Sequence, residues 1–97
     1  MALLPALAVF AMGGCSRYQQ LLKSTDYEVK YNRAVEYFNE KDYYRAYPLF
    51  EEMVSIYKGT KRSEKVYYYY SYCHYGLGEY ALAAFHFGNL AAGFPNG

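Results

Sequence analysis

The chain has 97 residues, a net charge of +1, 15 tyrosines, two cysteines and no tryptophan. That length holds one small domain, two cysteines form at most one disulfide, and basic residues interleaved with acidic ones give no electrostatic footprint for nucleic acid. No Gly-x-Ser-x-Gly, His-Glu-x-x-His or phosphate-binding glycine pattern occurs, so no catalytic activity, metal or cofactor is expected.

Met1 to Gly14 carries no charged side chain and contains an apolar run, Ala2 to Met12, broken only by Pro5. The run is shorter than the about 20 residues that span a bilayer and fits the apolar region of a secretory signal. Met12-Gly13-Gly14-Cys15 follows and resembles the lipobox of bacterial lipoproteins, with Met12 in the place of the usual Leu. That resemblance implies cleavage before Cys15 and lipidation of its thiol. Residues 1–14 are therefore read as a signal peptide and 15–25 as a lipidated N-terminal segment, with a short helical piece over Tyr18 to Lys23.

Beyond this point the chain repeats itself. Tyr43, Ala46 and Phe50 return 37 residues later as Tyr80, Ala83 and Phe87, a sign of a helical repeat. Intervals of three and four put the three side chains on one helix face, with the small Ala where two helices approach closely. Upstream of each copy, Tyr27 to Asn39 and Val66 to Leu77 carry apolar residues at helical spacing. Thr25 and Glu28 have capping-box spacing, Gly59 closes one segment, Gly76 and Gly78 bracket a turn, and Pro95 stops the last helix. The expected helices lie near 26–39, 43–57, 64–76 and 80–92.

The pattern Gly-x-Tyr-x-x-Ala-x-x-x-Phe, followed at a distance by Pro, resembles the tetratricopeptide repeat. Copy two has Gly78, Tyr80, Ala83, Phe87 and Pro95; copy one has Ala34, Tyr37, Tyr43, Ala46 and Phe50, with Lys41 where the repeat has Gly. The fold expected is all-α: two tetratricopeptide hairpins over 26–62 and 63–97, a fragment of a right-handed α-solenoid continued by a third hairpin. The extra residues of the period fall in Lys58 to Ser63, and the basic stretch Lys58 to Lys65 is read as a solvated linker. His74 takes an inter-helix position usually held by Tyr and is expected to be a core residue. Cys73 reads as a small buried hydrophobe, and Glu51 and Glu52 as solvent-facing.

Aligned to the repeat, the groove-lining positions are Glu28, Tyr31, Val35, Phe38 and Asn39, then Lys65, Tyr68, Tyr72, Tyr75 and Gly76. Tyr67, Tyr70, Ser71 and His74 form the opposing, inward stripe. Tyr31, Tyr68, Tyr72 and Tyr75 are the expected partner-binding residues: tyrosines offer large apolar faces with a hydrogen-bonding tip, suited to aromatic-rich strands with exposed backbone. The alternative is that they pack against Tyr18 to Lys23 or a neighbouring repeat.

The opening Cys15-Ser16-Arg17-Tyr18-Gln19-Gln20-Leu21-Leu22-Lys23-Ser24, with Tyr43-Tyr44-Arg45-Ala46-Tyr47-Pro48-Leu49-Phe50 and Val66-Tyr67-Tyr68-Tyr69-Tyr70 after it, resembles the BamD family of outer-membrane-assembly lipoproteins. The resemblance covers Cys15 to Gly97. It implies a lipid anchor in the outer membrane facing the periplasm, a partner of BamA type, and unfolded outer-membrane proteins as substrates. Other readings are a different tetratricopeptide envelope lipoprotein, pilotin-like or cell-wall coordinating, or a SusD-like glycan-binding lipoprotein, against which the missing Trp counts.

Overall fold

The computed structural model describes residues 15–94. The proposed signal segment and Pro95 to Gly97 lie outside them. Residues 15–23 form α1, followed by α2 (Tyr27–Asn39), α3 (Tyr43–Ile56), α4 (Ser63–Gly76) and α5 (Tyr80–Gly93). The described residues form an all-α repeat of two helical hairpins, α2–α3 and α4–α5, and from α2 onward each helix packs on the next in chain order. No helix among the described residues is long and apolar enough to cross a membrane.

The start of α2 differs in detail from the capping box expected at Thr25. Asp26 is the N-cap, its carboxylate accepting from the Val29 amide at 3.3 Å. Asp42 does the same for α3, accepting from the Arg45 amide at 3.2 Å. Such caps satisfy amides that have no partner within the helix, each contributing about 1 kcal/mol.

Both hairpins turn by the same closure. The Asp42 amide donates to the Tyr37 carbonyl at 2.8 Å, and the Glu79 amide to the His74 carbonyl at 2.8 Å. These bonds reach back five residues and require a left-handed residue in between. Gly78 supplies it at φ 81°, and Lys41 at φ 62°.

The core follows from the repeat. Ala46 is fully buried, and its small side chain lets α3 approach its neighbours, while Leu49, Phe50 and Met53 fill the space alongside. Val66 and Cys73 bring α4 onto this surface and Ala34 brings α2. Each large apolar side chain removed from water contributes about 1.5–3 kcal/mol. In contrast, Ala83 is the one buried residue of α5, although its neighbours Leu82 and Phe85 are apolar and exposed.

The first helix is secured by polar ties as well as by Leu21 and Leu22. The Tyr18 hydroxyl donates to the Arg45 carbonyl at 2.6 Å, and its ring meets Tyr37 edge-on. Lys30 is fully buried and donates to the Leu22 carbonyl at 2.9 Å and to Glu52 at 2.5 Å. Glu51 and Glu52 are exposed, as expected from their spacing, yet each has a partner: Tyr47 donates to Glu51 at 2.8 Å.

Candidate functional site

Tyr68, Tyr72 and Tyr75 come together on one face of α4. Their rings succeed one another at 6.1 and 5.5 Å, and Tyr80 extends the series at 5.4 Å from Tyr75. Tyr68 is 42% exposed, Tyr75 52% and Tyr80 64%, so three of the four rings present a face to solvent. Tyr72 is half-buried against Phe38 and Tyr43 and gives the series its footing. Close approach at this seam depends on Gly76, where a Cβ would lie 2.3 Å from the Tyr43 ring.

Tyr31 departs from the expected surface role. It is buried among Phe50, Tyr57 and Tyr69. The Arg62 guanidinium lies 4.2 Å above its ring and is held by Glu28 at 2.8 Å. Burial raises the phenol's pKa above its ordinary value. The physical reason is that α4 covers the first hairpin, so the equivalent tyrosines Tyr31 and Tyr68 meet different surroundings. Of the other groove positions, Phe38 belongs to the aromatic core, while Asn39 and Lys65 are exposed.

Tyr69, missed from the sequence, is the hub of this arrangement. It stacks on Phe50 at 5.0 Å and meets Phe38 at 4.7 Å. One helical position from Tyr68 in a run of four tyrosines, it is distinguished by phase: Val66, Tyr69 and Cys73 share a face at spacings of three and four. The α1 segment does not cover the tyrosine series, since Tyr18 packs against Tyr37 and Arg45 at the other hairpin.

The inward stripe is as expected: Ser71 and His74 are buried and Tyr67 and Tyr70 half-buried. His74 Nδ1 lies 2.9 Å from a Glu79 carboxylate oxygen, which accepts a hydrogen bond from it, and Nε2 is buried without a hydrogen-bond partner among the described residues. His86 stacks on His74 at 5.0 Å and accepts from the Tyr67 hydroxyl at 2.9 Å. Burial, with His74 alongside, lowers the His86 pKa. Cys73 is buried and its thiol is pushed up to about 12 by burial. Cys15 is exposed.

Beside the tyrosine series, Tyr68, Phe87, Leu90, Ala91 and Phe94 line an open apolar cleft of about 490 Å³ between α4 and α5, with Lys65 on its rim.

The fold and this surface define a helical-hairpin repeat with an exposed aromatic face. Comparison with protein-family models, curated proteins and solved structures finds no match.

Proposed function

We propose that the chain is the membrane-anchored beginning of an outer-membrane assembly scaffold of BamD type, tethered through a lipidated Cys15 and facing the periplasm. It joins a BamA-type partner and receives unfolded outer-membrane proteins. The observation that carries the binding part of this reading is the succession Tyr68, Tyr72, Tyr75 on α4, with Tyr68 and Tyr75 exposed on either side of the half-buried Tyr72. Closely spaced aromatic faces exclude water from an extended strand while the phenol tips bond to its backbone. The exposed position of Cys15 at the start of α1 leaves its thiol accessible to acylation.

Two measurements test the reading. The first is the affinity of the full chain for an aromatic-ended barrel C-terminal peptide, with Tyr68 and Tyr75 changed to Ala. Both rings are substantially exposed, so the fold survives, as circular dichroism would verify. Loss of central aromatic contacts should cost about 2 kcal/mol or more together; unchanged affinity places the strand surface elsewhere. The second is expression in a host with lipoprotein-processing enzymes, where Cys15→Ser should leave an uncleaved, unacylated precursor. Recovery of the wild-type protein with a free Cys15 thiol would overturn the anchoring.

A further inference from the structure

We propose that His74 and His86 form a proton-operated clasp in the second hairpin: with both imidazoles neutral α5 is held on α4, and a proton taken up by His86 releases α5 while the first hairpin stays closed. This does not depend on where the protein resides.

The clasp has a defined arrangement of hydrogens. Asn89 donates to the Tyr67 hydroxyl oxygen at 3.4 Å, which directs the hydroxyl hydrogen to His86 Nδ1 at 2.9 Å. Among the described residues these are the side-chain hydrogen bonds between α4 and α5, and both meet at Tyr67. An imidazolium has no acceptor nitrogen, so protonation of His86 removes the Tyr67 bond as it stands. The loss matters because Ala83 is the one buried residue that α5 otherwise brings to the interface.

Charge around the pair is uneven. The two rings stack at 5.0 Å with 12° between their planes. His74 faces the Glu79 carboxylate from the turn, Tyr70 from its own helix and, from α3, Tyr47, whose hydroxyl is bonded to Glu51. His86 faces His74, Tyr67 and Tyr70 across the interface and Phe85 within α5, a helix with no Asp, Glu, Lys or Arg. A cation at His74 thus has a carboxylate beside it, whereas one at His86 has another imidazole. The buried Nε2 of His74 has no acceptor for a proton among the described residues either. Burial, with His74 alongside, disfavours the charged form of His86 while the hairpin is closed, and water removes both penalties once α5 lifts away.

The first hairpin lacks the device. One period of 37 residues back, His86, His74, Tyr67 and Asn89 become Leu49, Tyr37, Lys30 and Glu52, and both histidines of the chain belong to the second hairpin. Leu49 is buried, and Lys30 and Glu52 form an ion pair where Tyr67 and Asn89 stand. Release of α5 also takes Phe87 from Tyr68 and Tyr80 from Tyr75, so the aromatic face is complete only while the clasp is closed. A further helix packed on α5 would add to its hold at every pH without altering which protonation state the clasp prefers.

The test is amide hydrogen–deuterium exchange of the full chain, read helix by helix from about pH 7.5 to about pH 5.5 and corrected for the intrinsic pH dependence of exchange. Protection of α5 should fall several-fold on acidification, by no more than about tenfold per pH unit, the limit for one proton taken up on opening, while α2 and α3 keep theirs. His86→Leu, which installs the residue of the first hairpin, should remove the fall. Tyr67→Phe keeps its ring and decides the matter if His86→Leu does not fold: α5 should exchange faster even near neutral pH and respond less to acid. Protection of α5 that does not change with pH, an equal loss in both hairpins, or a wild-type profile in either variant overturns the proposal.

Discussion

Lys41 and Gly78 occupy the same place in the two hairpin turns, and both adopt left-handed backbone, at φ 62° and 81°. The lysine bears a Cβ where the turn geometry favours none. Lys41→Gly should stabilise the protein by about 1 kcal/mol, because relief of the left-handed strain exceeds the added freedom of the unfolded chain. In a domain of this size that is a rise in Tm of roughly 4–8 °C. Gly78→Lys should lower Tm, and an unchanged melting curve for either variant would show that the turns carry no such strain.

Lys30 gives a second expectation. Its ammonium is buried and faces Glu52, whose carboxylate is 43% exposed. Removing the charge partner with Glu52→Gln should cost about 2 kcal/mol, less than for a fully buried pair because water still reaches the glutamate side. Adding Lys30→Met should recover most of that loss. Urea denaturation of the three variants measures it, and additive effects in the double variant would argue against coupling.

At the α3–α4 seam, Gly76 lies against the Tyr43 ring with no space for a Cβ. Gly76→Ala should therefore destabilise by about 1–3 kcal/mol despite the better helix propensity of alanine. Tyr43→Leu in the same chain should remove part of the penalty. If Gly76→Ala raises the thermal midpoint instead, the ring moves aside freely and the close approach has no energetic weight.

The stacked His74–His86 pair makes stability depend on pH. The His86 pKa is lowered in the folded state, so below the unfolded value of about 6.5 the unfolded chain binds more protons. The contribution from neutral His86 is complete above that value and is lost as pH falls toward the depressed folded pKa. The urea midpoint should drop between about pH 7 and pH 5, and His86→Phe, which keeps a ring beside His74, should flatten the slope. A variant with the wild-type slope would place the titration elsewhere.

The hairpins were legible because the Tyr-x-x-Ala-x-x-x-Phe spacing repeats and turn residues bound each helix. Surroundings were less legible. Tyr31 and Tyr68 are equivalent in any alignment of the two copies, and only the packing of α4 onto the first hairpin separates a core ring from a surface one. Tyr69 was hidden for a related reason: in four consecutive tyrosines composition is uniform, and inward phase depends on where α3 lies. The burial of Lys30 is not legible in the sequence, because charged residues are rarely buried and its partners, Leu22 and Glu52, come from two other helices.

The ties of α1 bear on how the protein responds to mechanical force. A pull on Cys15 would reach the first hairpin through the Tyr18–Arg45 bond and the Lys30–Leu22 bond, two attachments on different helices. Along the chain such a load meets the Tyr18 attachment to α3 first and the Leu22 attachment to α2 next, and both have to break before the helix comes free. Were Cys15 attached to a surface, the N-terminal segment would transmit orientation as well as tension to the repeat, where a loose tether would transmit only tension.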